Sequence, residues 1–441
     1  MYLGLNKEKK PICLDSADFL THGVILGRTG SGKTGLTIAL LEEVAACGSS
    51  AIVLDPKGDL TNLALSLSSK AEFARWAEGD SEAIRLQHGE GLATFGLGFD
   101  HVEWWRKSID VKIYAPGKSQ GGGRAINIFP TFDIPRGFES AWRAKAARDV
   151  TAVLRAVDGT DDQFDPALVF LTEAVLSAWR NKCALPVEDW PEVLTSSSDG
   201  QTFGGMKLED FFPKRQRIKL ARTMIGFRHQ ADRWLSGEKL DFHHLAELAE
   251  KPQIAVFSMR HLSEEDRQFF SGLLFHKLVE YMFETTASKS LKLLVVLDEA
   301  RGYLPPHPYN PPTKGPIGTI LSQGRAQGIG MVIGTQNPMD LDYKALSNVG
   351  TWFVGRLRER DCARDLVSEL SGRGVEIDAV TELPQRKFLL LDKRGKHHLL
   401  TVRWCYNHLR GPLSGQDLLR LEQFNLGPTI RLLPSGRRHR S

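Results

Sequence analysis

An eight-residue stretch near the start of the chain limits its fold more than any other feature. Gly27-Arg28-Thr29-Gly30-Ser31-Gly32-Lys33-Thr34 fits the pattern G-x-x-x-x-G-K-[ST]. An apolar run, His22–Gly27, precedes it, and an apolar-periodic stretch from Lys33 to Cys47 follows. The order is strand, glycine-rich turn, helix. Glycines let successive backbone N–H groups point inward around a phosphate, and the helix N-terminus adds its partial positive charge. Lys33 is placed to reach the β- and γ-phosphates, and the Thr34 hydroxyl to ligate Mg²⁺. A second strand at Ala51–Asp55 ends in Pro56 and Gly58. This β-α-β spacing predicts a parallel pair joined by a right-handed crossover.

Beyond Gly58 the periodicity changes twice. A helical stretch containing Trp76 leads to a glycine-rich region, a short strand at Val111–Tyr114 and a loop at Pro116–Gly123. From 136 to 250, apolar residues recur at three- and four-residue steps in runs such as FESAWRAKAARDVTAVLRAV, which predicts an all-α insertion. Strands return at Ile254–Ser258, Leu293–Asp298, Met331–Thr335 and Thr351–Val354, with helices at Ser263–Thr286, Gly318–Ala326 and Asp361–Ser371. Phe388–Leu391 and Leu399–Trp404 read as a hairpin across Arg394-Gly395-Lys396. Alternating strands and helices predict an α/β fold with a mostly parallel sheet covered on both faces. The expected division is a core over 1–135 and 251–410, the insertion over 136–250, and a C-terminal tail over 411–441.

Two more strand tips carry polar groups. Lys292–Leu297 ends in Asp298-Glu299, and ligands bind at the carboxyl ends of strands in open α/β sheets. Asp298 is the natural Mg²⁺ partner, either directly or through a water on the ion, and Glu299 is placed to polarise a water for attack on a γ-phosphate. Met331–Thr335 is followed by Gln336, which reads either as a contact to that water or phosphate or as a polar residue closing a strand.

The glycine-rich motif, the Asp55-Pro56-Lys57-Gly58-Asp59 segment, LLVVLDEA, and GRAQGIGMVIGTQNP with LSNVGTWFVGRL together resemble the HerA/FtsK superfamily of ring-forming P-loop ATPases. The similarity runs from Thr21 to Asp365. It implies a RecA-like P-loop NTPase core, ATP and Mg²⁺ as ligands, a homo-hexamer, and ATP-driven movement of DNA or coupling to DNA transfer. By that resemblance Lys33 and Thr34 match the phosphate and Mg²⁺ positions, Asp298 and Glu299 the Mg²⁺ carboxylate and catalytic base, and Gln336 the sensor. Arg325 resembles the arginine that conjugation coupling proteins insert into a neighbour's site; a salt-bridged helix-surface arginine is the other reading. Arg356, Arg358 and Arg360 are reserve candidates. Many HerA proteins begin with a small β-barrel, whereas here the motif starts at residue 27. The expectation is a short form, either a minimal motor or one whose partner supplies the rest. A ring also follows from the single P-loop, because a lone RecA-like domain needs a neighbour to complete its site.

The chain carries 57 basic and 53 acidic residues, a formal +4, so any DNA contact depends on where charge clusters. The densest basic run is Lys214–Arg222, where Arg215, Lys219 and Arg222 share a helical face opposite Ile218, Ala221 and Ile225. It reads as a phosphate-binding stripe or as a solvated face. The tail Arg437–Arg440 is equally ambiguous, and the proline-rich Leu304–Pro316 reads as an interface or pore loop or a spacer. Five scattered cysteines without a C-x-x-C pair, and no membrane-length apolar run, suit a cytoplasmic protein. Three functions are open: a DNA motor acting with a nuclease or effector, an ATPase scaffold for a defence effector, and a coupling ATPase for DNA transfer.

Overall fold

The computed structural model describes residues 1–117, 122–130, 132–135, 139–158, 165–196, 202–235, 237–342, 344–357 and 382–425. Eleven strands of these residues form one sheet. In chain order the strands are β1 (Tyr2–Leu5), β2 (Pro11–Cys13), β3 (Gly23–Leu26), β4 (Ser50–Asp55) and β5 (Asp110–Tyr114). Four short strands follow: β6 (Ile126–Asn127), β7 (Thr202–Phe203), β8 (Met206–Lys207) and β9 (Glu238–Lys239). The rest are β10 (Gln253–Ser258), β11 (Leu293–Leu297), β12 (Ile329–Thr335), β13 (Thr351–Val354), β14 (Lys387–Leu391) and β15 (His397–Val402). Across the sheet the order is β2-β1-β15-β14-β13-β3-β12-β11-β4-β10-β5. The strands from β13 to β5 run parallel, and those from β14 to β2 are antiparallel. This is the α/β, RecA-like arrangement the sequence implies, except that β3 and β4, expected as a parallel pair, run parallel with β12 and β11 inserted between them.

Helices on both faces bury the central strands, which is why they read as unbroken apolar runs. Every residue of β3, β4, β11, β12 and β13 is buried. Alternate residues serve opposite faces. Leu26, Leu54, Val295 and Ile333 join the core beneath the insertion and the Glu264–Glu284 helix, whereas Ile25, Val53, Val296 and Val332 join the core around the Lys33–Ala46 helix. The insertion helices, among them Glu139–Asp158, Pro166–Arg180 and Lys214–Leu235, leave the sheet after β5 and return to its neighbour β10.

Several expectations shift. The N-terminal strands carried no readable signal, yet β1 pairs with β15 and extends the sheet. Gly4 permits that approach: its φ is +148°, and a Cβ there would stand 2.0 Å from the Thr401 carbonyl oxygen. In the basic helix Arg215, Lys219 and Arg222 are exposed as expected, but Ile225 is exposed too. Arg217 instead turns inward, where its Nε donates to the Phe212 carbonyl at 3.0 Å. The face is therefore set by packing against Trp190–Ser196 rather than by apolar residues alone. The helix expected at Asp361–Ser371, together with Arg358, Arg360 and the basic tail, lies outside the described residues.

His22, at the foot of β3, is buried, and its Nδ1 accepts the Met331 N–H at 3.1 Å. Burial lowers its pKa from 6.5 to about 4. The unfolded imidazole takes its proton first as the pH falls. Its contribution is therefore complete above about pH 6.5 and is lost as the pH drops toward 4, by about 3 kcal/mol. His88 shows the same direction, so wild type carries both slopes. His22→Gln should flatten the pH dependence of urea-unfolding free energy across this window; an unchanged slope refutes the assignment.

Candidate nucleotide site

Four strand tips build the site at one edge of the sheet. After β3 the chain enters Gly27–Thr34, where Gly27, Gly30 and Gly32 hold φ of +157°, +79° and +99°. Gly32 has a packing reason besides, since a Cβ there would lie 3.1 Å from the Arg386 backbone. The Arg386 N–H donates to the Ser31 carbonyl at 2.9 Å, and the Arg28 N–H donates to the Arg356 carbonyl at 2.9 Å. These bonds brace the loop from the segments flanking β13 and β14. The Lys33–Ala46 helix begins without a side-chain cap, so its first N–H groups are left for an anion. Ser31 Oγ and Arg28 Nε are buried with no hydrogen-bond partner among the described residues.

Strand order decides which residue stands beside which. Because β12 lies between β3 and β11, with Thr335 opposite Leu26 and Ile333 opposite Leu297, Gln336 falls between the loop and Asp298-Glu299. Thr29 Oγ1 donates to Gln336 Oε1 at 2.9 Å, and Gln336 Nε2 donates to Glu299 Oε2 at 2.8 Å. Lys57, from the loop after β4, forms an ion pair with the same Oε2. Glu299 sits at φ +62°, a left-handed conformation that is costly for a residue with a Cβ and concentrates at functional sites. Gly334 makes room for the neighbouring carboxylate, since a Cβ there would lie 3.0 Å from Asp298 Oδ1.

A cavity of about 470 Å³ opens over this edge, lined by Thr29, Lys33, Thr34, Asp298 and Gln336. That volume suits a nucleotide-sized ligand. Ile84, Gln87, Trp404 and Leu409 form its other end. Glu299 does not line the cavity and joins it through Gln336. Lys33 Nζ donates to the Gly27 carbonyl, folding the ammonium into the loop. Burial lowers its pKa, and the charges of Glu299 and Asp298 offset part of that. Burial, with Glu299 adding, pushes Asp298 up to about 6 against Lys57 and Lys33. Burial and the nearby Asp298 push Asp55 up to about 8. Burial would also raise Glu299, but the hydrogen bonds from Lys57 and Gln336, with the charges of Lys57 and Lys33, hold it below its ordinary value. A buried acid with a high pKa beside an anion-ready loop is a place for a cation, and the hydroxyl and carboxylate oxygens of Thr34 and Asp298 are donors of the kind Mg²⁺ takes.

The remaining arginines separate. Arg325 is exposed in the Gly324–Gln327 turn that precedes β12. The 7 residues of that strand, about 20 Å of extended chain, lie between it and the site edge. It does not join the cavity of its own chain. Arg356 reaches the P-loop through its carbonyl. Besides the residues at the far end of the cavity, Lys57 and Arg386 carried no site role in the sequence. Lys57 was visible only as part of DPKGD, without a role, and Arg386 becomes a neighbour of the loop only once β14 is placed in the sheet.

Residues 2–96 match the family described as the central domain of the helicase HerA. The chain is 22% identical to the DNA double-strand break repair helicase HerA of Pyrococcus furiosus over 452 positions, covering 92% of this chain and 70% of that protein. The chain thus carries a P-loop ATPase domain related to the HerA/FtsK superfamily. Two solved structures align over most of the chain. VirB4 of Thermoanaerobacter pseudethanolicus matches with a TM-score of 0.57 at 14% identity, covering 91% of this chain and 96% of that one. The plasmid coupling protein TrwB, in complex with ADP and Mg²⁺, matches with 0.56 at 13% identity over 93% and 95%. That P-loop domain and its relationship make the chain an ATP-hydrolysing enzyme. No helix of the described residues is long and apolar enough to cross a membrane.

Proposed function

We propose that this chain is the ATPase subunit of a cytoplasmic homo-hexameric ring that drives DNA movement as a coupling-type motor. The observation that carries the ATPase reading is the convergence of Lys33, Asp298 and Gln336 on one cavity, with Glu299 tied to it through Gln336. Lys33 and the loop N–H groups bind the triphosphate. Thr34 and Asp298 would hold Mg²⁺, which would supply charge neutralisation to the phosphates. Glu299 takes the proton of the attacking water, and Gln336 links that carboxylate to Thr29 of the loop. Arg325, away from its own cavity, is the residue a neighbouring subunit receives. The helical insertion at 136–250 and the core around it form one ring subunit.

A coupling-type role draws support from fold similarity spanning nine-tenths of the chain. A HerA-type helicase acting with a partner nuclease is the second reading, favoured by the sequence match to a repair helicase. Hydrolysis should rise several-fold with double- or single-stranded DNA, measured in a coupled ATPase assay. No stimulation by either form would favour an ATPase scaffold for another effector. Strand displacement without a partner would favour the helicase.

A further inference from the structure

The DPKGD segment contributes a lysine to which the ATPase reading assigns no task. Lys57 follows β4, and Gln336 follows β12; these strands flank β11, at whose tip Glu299 stands. The two donors thus reach Glu299 from opposite sides, and both meet Oε2. Oε1 has no hydrogen-bond partner among the described residues. The loop that presents Lys57 is itself held: Asp55 Oδ1 accepts the Gly58 N–H at 2.7 Å and Oδ2 accepts the Leu60 N–H at 2.9 Å. Gly58, at φ +87°, turns the chain immediately after Lys57.

Two opposed effects follow from such a clamp. Donors on a carboxylate weaken it as a base, but proton-transfer rates depend only partly on basicity. A carboxylate free to rotate loses far more, because small misplacements of a reacting group cost up to about 10²-fold. Orientation wins. We propose that Lys57 is a positioning residue for hydrolysis, clamping Oε2 of Glu299 opposite Gln336 and leaving Oε1 to receive the water proton. This rests on the ATPase reading above.

The test compares wild type, Lys57→Met and Lys57→Arg as full chains, with steady-state ATP turnover and titration of a fluorescent ATP analogue. Lys57→Met should lower kcat by about 10- to 100-fold, with KM and analogue affinity within about threefold of wild type. Lys57→Arg, which keeps the charged donor, should recover most of the loss, a rescue that a structural defect would not show. Added to Glu299→Gln, Lys57→Met should lower turnover no further. A kcat within twofold of wild type would overturn the proposal. So would a tenfold loss of analogue affinity, which would make Lys57 a phosphate ligand. Wild-type turnover is the control, and its absence would reject the ATPase reading instead.

Discussion

Glu299→Gln should lower ATP turnover by about 10²- to 10⁴-fold, the usual worth of a positioned general base, with ATP affinity changed only a few-fold. The substitution keeps the side chain's size and an oxygen able to accept from Lys57 or Gln336, so the site's shape survives. It removes the group that takes a proton. The electrostatics fit that task in one respect and oppose it in another. Lys57 and Gln336 keep Glu299 ionised at neutral pH, whereas Asp298, deeper in the protein, is pushed up to about 6. Under the proposed function, environment alone thus separates two adjacent carboxylates into a base and a buried cation ligand. Turnover measured beside fluorescent-nucleotide binding checks this. Turnover within threefold of wild type would remove Glu299 from the chemistry.

Arg403→Met should destabilise the folded protein by about 3–5 kcal/mol, the cost of leaving a buried partner charge unpaired. Arg403 is buried and donates to Glu42 Oε2 at 2.7 Å, to Glu43 Oε1 at 2.9 Å and to the Tyr2 carbonyl at 3.0 Å. Glu42 and Glu43 lie on the helix that the P-loop begins, Tyr2 on β1, and Arg403 just past β15. One guanidinium therefore ties β1 and the end of β15 to the nucleotide-binding helix. Burial raises Glu42 even against the charge of Arg403, so removal of that charge leaves the carboxyl to protonate or to pull water inward. Urea unfolding at neutral pH measures the loss, and the Glu42→Gln/Arg403→Met pair should recover part of it. A loss below about 1 kcal/mol would place the pair among those worth no more than an exposed contact.

Much of the candidate nucleotide site was legible because its determinants are local. Gly27–Thr34 needs glycines where backbone N–H groups must crowd a phosphate, and the apolar runs ending at Asp298 and Thr335 are what fully buried parallel strands require. The P-loop helix shows how such patterns reach a limit. Its residues from Leu36 to Ala45 are buried without a break, Glu42 and Glu43 included. An amphipathic pattern could not reveal what those carboxylates face.

The residues missed share one property. Lys57, Arg386 and Arg403 act on partners far along the chain: Glu299, Ser31 and Glu42. The strands Tyr2–Leu5 and Pro11–Cys13 likewise exist because β15 offers an edge, not because their own few residues favour extension. Short edge strands carry too little periodicity to be read alone. The amino-acid sequence by itself determined the P-loop, the carboxylates at a strand tip and the alternation that makes a parallel sheet, since each depends on neighbours within a few residues. Tertiary structure alone decided that Gln336 stands between the loop and Glu299, that Lys57 closes on Glu299 from the other side, and that Arg403 joins β1 and the end of β15 to the helix. Strand order and buried-charge pairing are properties of the packed sheet, and no local pattern encodes them.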